Sequence, residues 1–162
     1  MIKNIWVLLA TGFGLGLSPV ASGTFGALLG VPLAVALFSF ITPAQWPVQA
    51  VAALLLVAVS VPICDNAEKA LGGKKDDGRI VADEYLTMPL VLIGLPLHPV
   101  MLGVAFVSHR VFDILKPWPA RGLQRLPGGL GITIDDFFSS LYALAANWLL
   151  YIYLLKPQGW VS

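Results

Sequence analysis

All nine acidic residues of this chain, and eight of its ten basic ones, fall inside two stretches, residues 65–84 and 109–136. Almost everything around them is apolar. The 162 residues are 57% hydrophobic and only 12% charged, with mean hydropathy +0.82, whereas a soluble domain carries about 25% charged residues. Such a division predicts an all-α polytopic membrane bundle with its charges gathered at particular ends of the helices. The length fits one domain over residues 1–162, with no internal repeat and no dividing linker.

A hydrocarbon core of about 30 Å takes roughly 20 apolar residues at 1.5 Å each. Three full spans are expected, at residues 24–41, 48–64 and 137–155. Residues 85–107 are apolar but interrupted by Pro89, Gly94, Pro96 and Pro99. That pattern predicts two short helices in a hairpin rather than one straight span. Residues 5–17, short and glycine-rich, read as an N-terminal interfacial helix. Lys3, the apolar core after it and Ala21-Ser22 give the N-terminus some likeness to a signal peptide, but Gly12, Gly14 and Gly16 break it and another apolar helix follows. Gly26 and Gly30 make a GxxxG spacing that suits close helix packing.

With residues 24–64 and 85–107 both folded as hairpins, the N-terminus and both charged stretches emerge on one face. The positive-inside rule makes that face cytoplasmic, since it carries Lys69, Lys74, Lys75, Arg79, Arg110, Lys116, Arg121 and Arg125, with only Lys156 opposite. A net charge of +1 argues against a nucleic-acid partner. Cys64 is the single cysteine, and with His98 and His109 as the only histidines no zinc constellation is expected.

Polar groups on that face concentrate in GRIVADEYL (78–86), HRVFDILKPWP (109–119) and GGLGITIDD (128–136). Asp83-Glu84 and Asp135-Asp136 are carboxylate pairs, and neighbouring like charges repel unless a cation offsets them. Mg²⁺ suits an oxygen-only donor set. Helix capping is the competing account, with Asp135 or Asp136 opening the last span, although one carboxylate suffices for a cap. His109, Asp113 and Lys116 share a helical face, and Arg110 precedes Asp113 by three residues. A snorkelling lysine, a local ion pair and an interfacial Trp118 explain these residues equally well as phosphate binding by Arg110 and Lys116. The glycine-rich GLGLSPVASGTFG leads into a helix whose start can face an anion. Cysteine-phosphatase, DxDxT, PSGH and CDP-alcohol phosphotransferase patterns are all absent.

Taken together and in this order, GLSPVASGTFGALLGVPL, GRIVADEYL, FDILKPWP and GGLGITIDD resemble the bacterial phosphatidylglycerophosphatase A family over roughly residues 9–144. The resemblance implies an integral inner-membrane, Mg²⁺-dependent phosphatase that converts phosphatidylglycerophosphate to phosphatidylglycerol. It implies metal ligands among Asp83, Glu84, Asp113, Asp135 and Asp136, catalytic roles among Asp83, Glu84, Asp113 and Asp136, and substrate contacts from Gly23, Thr24, Arg110 and Lys116. Ser22, Thr87, Thr133 and Ser139-Ser140 depart from the family pattern, which predicts altered packing or substrate fit rather than lost metal binding. Two other readings stand beside this one: a phosphatase of another lipid phosphate such as phosphatidic acid, and a non-catalytic membrane scaffold. A scaffold of the channel kind needs its carboxylates within the spans, whereas here they are expected at span ends.

Overall fold

A computed structural model describes residues 4–74 and 77–161. Lys3 and Lys75, which enter the sequence argument, lie outside the described residues. Among these residues the architecture is entirely helical: α1 (Ile5–Ala10), α2 (Ser22–Phe38), α3 (Trp46–Ala70), α4 (Ala82–Thr87), α5 (Pro99–Leu115), α6 (Ala120–Leu123) and α7 (Gly128–Leu150).

Two helices are long and apolar enough to cross a bilayer. With the 3-10 turn at its start, α3 runs from Pro43 to Ala70, and with the π-turn at its end, α7 runs from Gly128 to Leu155, each 28 residues or about 42 Å. The third expected span, residues 24–41, is the shorter helix α2. Its 17 residues give about 26 Å, short of the roughly 30 Å core. Residues 5–17, expected at the interface, form α1 followed by a 3-10 turn at Leu15–Leu17.

Residues 85–107 do fold back on themselves. α4 passes into 3-10 turns at Met88–Leu92, the chain reverses at Gly94, where φ is +74°, and α5 returns. Pro89, Pro96 and Pro99 leave backbone groups that no regular helix can satisfy. Side chains from the long helices take them up. The Gln49 side chain accepts from Gly94 N–H at 2.7 Å and donates to Ile41 O at 2.8 Å. Asn147 donates to Val91 O at 2.9 Å, and the Trp148 indole donates to Ile93 O at 3.1 Å. This solves the problem of irregular backbone away from water. Met88, Leu90, Val91, Leu92 and Leu95 are buried as part of the core.

The glycine spacing in α2 serves this hairpin. A Cβ at Gly30 would overlap Met88, and one at Gly26 would press on Val81 and Glu84. α2 therefore lies directly against α4. At the other side of the bundle, a Cβ on Gly129 would strike the backbone of Val61 and Asp65 in α3. The outer surface carries exposed apolar side chains, among them Leu55, Val107, Ile114 and Leu115, as a lipid-facing surface would.

Candidate functional site

Four helix ends meet where α2 starts, α3 ends, α4 starts and α5 ends, and α7 passes beside them. The loop before α4 is pinned there: Ser22 Oγ donates to Gly78 O at 2.7 Å and Val81 N–H donates to Ala10 O at 2.7 Å. Both charged stretches thus reach the same end of the bundle, as their patterning required. The reversal at Gly94, with Trp46 and Trp148, lies at the other end.

Asp83 and Glu84 stand in the first turn of α4, and Arg110 and Asp113 in the last turns of α5. Arg110 Nη1 donates to Glu84 Oε1 at 3.2 Å and to Asp113 Oδ2 at 2.6 Å. The expected local ion pair exists, but its arginine also ties α5 to α4. Lys116, in a left-handed conformation with φ +42°, donates to Asp135 and lies 3.9 Å from Asp113 Oδ1. Across the α5–α7 interface Asp136 meets Asp113 carboxyl to carboxyl, with Asp83 and Asp135 close enough to act on it electrostatically.

The capping account of Asp135-Asp136 is overturned. α7 begins at Gly128 and has no acidic residue in its first turn, so the pair falls in the third turn, about 10 Å along the helix. The reason is packing: glycine lets the GGLG segment run against α3, where Gly129 N–H donates to Asp65 Oδ1 at 3.4 Å. A helix about 42 Å long overshoots a 30 Å core by about 12 Å. If residues 137–155 occupy the hydrocarbon, the two aspartates lie at its boundary.

Asp83, Asp113, Asp135 and Asp136 are only 8, 6, 2 and 2% exposed. Among the described residues, five carboxylates, counting Glu84, thus gather with Arg110 and Lys116 in a nearly dry site. Burial pushes the Glu84 carboxyl up to about 8, against the pull of Arg110. Burial works to neutralise Lys116, but Asp136, Asp135 and Asp113 outweigh it and hold its ammonium above the ordinary lysine value. Among the described residues no three carboxylates already converge as a ligand set, since Arg110 and Lys116 stand between them. The donors nevertheless fit a hard cation. They are all oxygen, they exceed their basic partners, and Glu84 Oε2 and Asp136 Oδ2 are buried without a hydrogen-bond partner.

Of the two α2 residues expected here, Gly23 is at the site, because a Cβ there would overlap Glu84 Oε1 and come within 3.0 Å of Arg110 Nη2. Thr24 shares that first turn, with its N–H spent on Ala21 O. His109, on the helical face that its spacing gives to Asp113 and Lys116, makes its side-chain contact with α4. It is buried, with Nε2 3.3 Å from Thr87 Oγ1. Thr87, one of the atypical residues, also donates to Asp83 O at 2.7 Å and so braces the turn that carries Asp83. No sequence periodicity pointed to this contact. Thr133 bonds Ser60 at 2.9 Å between α3 and α7, while the Ser139 and Ser140 hydroxyls are buried without partners.

Comparison with known proteins bears on this arrangement. Residues 8–151 match the phosphatidylglycerophosphatase A family. Phosphatidylglycerophosphatase A of Escherichia coli K12 is 35% identical over 155 residues, covering 91% of this chain and 87% of that protein. The Haemophilus influenzae protein of the same name is 35% identical over 150 residues, 91% of this chain and 90% of that one. A Bacteroides thetaiotaomicron protein provisionally named phosphatidylinositol-3-phosphatase is 32% identical over 153 residues, 89% of this chain and 94% of its own length. No solved structure matches the chain.

Proposed function

The chain belongs to the phosphatidylglycerophosphatase A family, and from that premise we propose that it hydrolyses the terminal phosphate of phosphatidylglycerophosphate with the aid of Mg²⁺. The observation that carries the metal is the excess of buried carboxylates over Arg110 and Lys116. A phosphate monoester cannot approach such a site while its acids are ionised and uncompensated. Mg²⁺, when bound by carboxylates drawn from Asp83, Glu84, Asp113, Asp135 and Asp136, supplies that compensation and polarises the phosphoryl oxygens.

The chain's own residues do the rest. Were those carboxylates to hold a cation, Arg110 and Lys116 would be free to donate their N–H groups to the phosphate oxygens and stabilise the charge that develops in transfer. Glu84 Oε2 and Asp136 Oδ2 are the oxygens open either to a cation or to the proton of an attacking water. Gly23 lets the start of α2 lie directly against Glu84 and Arg110, where a side chain would displace the carboxylate. Water attack in line at phosphorus then needs no covalent nucleophile.

The bundle sits as a multi-pass protein in the bacterial inner membrane, with α2 and the α4–α5 hairpin accompanying the two long helices. The end bearing Lys69, Arg79, Arg110, Lys116, Arg121 and Arg125 faces the cytoplasm, following the basic-residue bias. Labelling of Lys156→Cys from the periplasmic side alone supports this orientation, and labelling from the cytoplasm contradicts it. The phosphoinositide name of the Bacteroides relative favours one second reading, action on a different lipid phosphate. Phosphate release by detergent-purified protein from phosphatidylglycerophosphate, phosphatidic acid and phosphatidylinositol 3-phosphate separates them. Preference for either of the last two replaces the proposed substrate, and release from none leaves the scaffold reading.

A further inference from the structure

We propose that the Ser140 hydroxyl belongs to the cation site, where it holds a water of the ion that Asp136 binds. This rests on the metal-dependent reading and adds to it a residue one turn deeper in α7 than the carboxylates.

Thr133, Asp136, Ser140, Ala143 and Asn147 follow one another along α7 at intervals of three or four residues, and all five are buried. They form one inner face of the helix. Its polar groups are satisfied at both ends. Thr133 Oγ1 meets Ser60 Oγ at 2.9 Å, while Asn147 donates to Val91 O at 2.9 Å and accepts from Ser108 at 2.7 Å. Between them, Asp136 Oδ2 and Ser140 Oγ are buried without a hydrogen-bond partner. Buried polar atoms are paired with protein, water or an ion as a rule, and here two successive ones on one face are not paired within the protein.

Ser140 also differs from the other buried hydroxyls of the long helices and the hairpin. Ser60 and Ser108 each donate to a carbonyl three residues earlier, at 2.8 and 3.0 Å, and Thr87 to one four residues earlier at 2.7 Å. That back-bond is the ordinary way for a hydroxyl to satisfy itself inside a helix. Ser140, 0% exposed, does not make it. Helix side chains lean toward the N-terminus, which for Ser140 is toward the turn carrying Asp136, about 6 Å away between Cβ atoms. One water spans such an interval, and Mg²⁺ ordinarily keeps several waters while one or two carboxylates bind it. Ser139 is buried without a partner as well, but the aspartate one turn before it, Asp135, already holds Lys116.

The test reads Mg²⁺ binding without turnover, by melting the detergent-purified protein over a range of MgCl₂ concentrations as wild type, Ser140→Ala and Ser139→Ala. The Mg²⁺ needed for a given rise in melting temperature scales with Kd, and loss of a group that orients a metal's ligands weakens binding about 10–100-fold. The expected result is a requirement at least about tenfold higher in Ser140→Ala and unchanged in Ser139→Ala. In chelator Ser140→Ala should melt no lower than wild type, because the substitution removes an unpaired buried group. A smaller shift or none in Ser140→Ala, an equal shift in Ser139→Ala, or a lower melting temperature of Ser140→Ala in chelator overturns the assignment and leaves the metal-dependent reading standing. A wild-type protein whose melting does not respond to Mg²⁺ overturns both.

Discussion

Two glycines in equivalent sequence settings, each the second residue of its helix, should respond to alanine in opposite ways. In Gly23→Ala the new methyl overlaps Glu84 Oε1, the tip of a flexible side chain, whereas in Gly129→Ala it overlaps the backbone of Val61 and Asp65. The Glu84 carboxylate can swing aside at small cost, and alanine returns up to about 1 kcal/mol of helix propensity. Stability should therefore change by less than about 1 kcal/mol. The displaced carboxylate, however, leaves both Arg110 and the proposed cation site, and misplacement of a group that orients a metal site costs roughly 10–100-fold in activity, or about 1.4–2.7 kcal/mol of barrier. At Gly129 two packed backbones must separate, with an overpacking penalty of about 1–3 kcal/mol and a melting temperature several degrees lower. The assay pairs intrinsic-fluorescence melting in detergent with phosphate release from phosphatidylglycerophosphate. A Gly23→Ala protein that melts as early as Gly129→Ala, or that keeps full activity, refutes the placement of Gly23 against Glu84.

Other consequences follow from the same contacts. Asp136→Asn removes one of five crowded carboxylates and lets an amide donate to Asp113, so with chelator present the variant should melt higher than wild type; a lower melting temperature contradicts the charge-excess argument. Gln49→Leu strands Gly94 N–H and Ile41 O and should cost about 1–3 kcal/mol in a denaturation experiment, with Mg²⁺ dependence unchanged; an unaltered stability removes Gln49 from the account of the hairpin. Glu84, held up at about 8 against an ordinary 4.5, keeps a proton that the unfolded chain would release. That contribution is full below about pH 4.5 and lost as pH rises through about 8. In chelator the melting temperature should fall across that interval, and added Mg²⁺ should stabilise more at the alkaline end; a rise with pH in chelator would reverse the sign and defeat this reading of Glu84.

Much of the site was legible because charge is costly in an apolar chain. Asp83-Glu84, Arg110, Asp113, Lys116 and Asp135-Asp136 had to be gathered somewhere, and the two confined charged stretches implied a common end. The helix boundaries were harder to read. GGLGITI has weak intrinsic helix propensity, and only its contact with Val61 and Asp65 makes it the first two turns of α7, so the start of that helix is a tertiary effect. α2 ends at Phe38 rather than continuing to residue 41, because the Thr42–Gln45 capping box and Pro43 start a new turn just beyond it. Likewise His109 shares a helical face with Asp113 by spacing, but α4 brings Thr87 to its ring, and no local pattern encodes that partner.

The central claim is that this carboxylate cluster binds a divalent cation and hydrolyses a lipid phosphomonoester there. Its most direct test is the Mg²⁺ dependence of phosphate release from phosphatidylglycerophosphate by the wild-type protein and by Asp136→Asn, each shown to be folded. The account predicts saturable activation of the wild type, loss of release in chelator and at least about 100-fold lower turnover in the variant. Release that persists in chelator, or a variant that turns over at the wild-type rate, would contradict it.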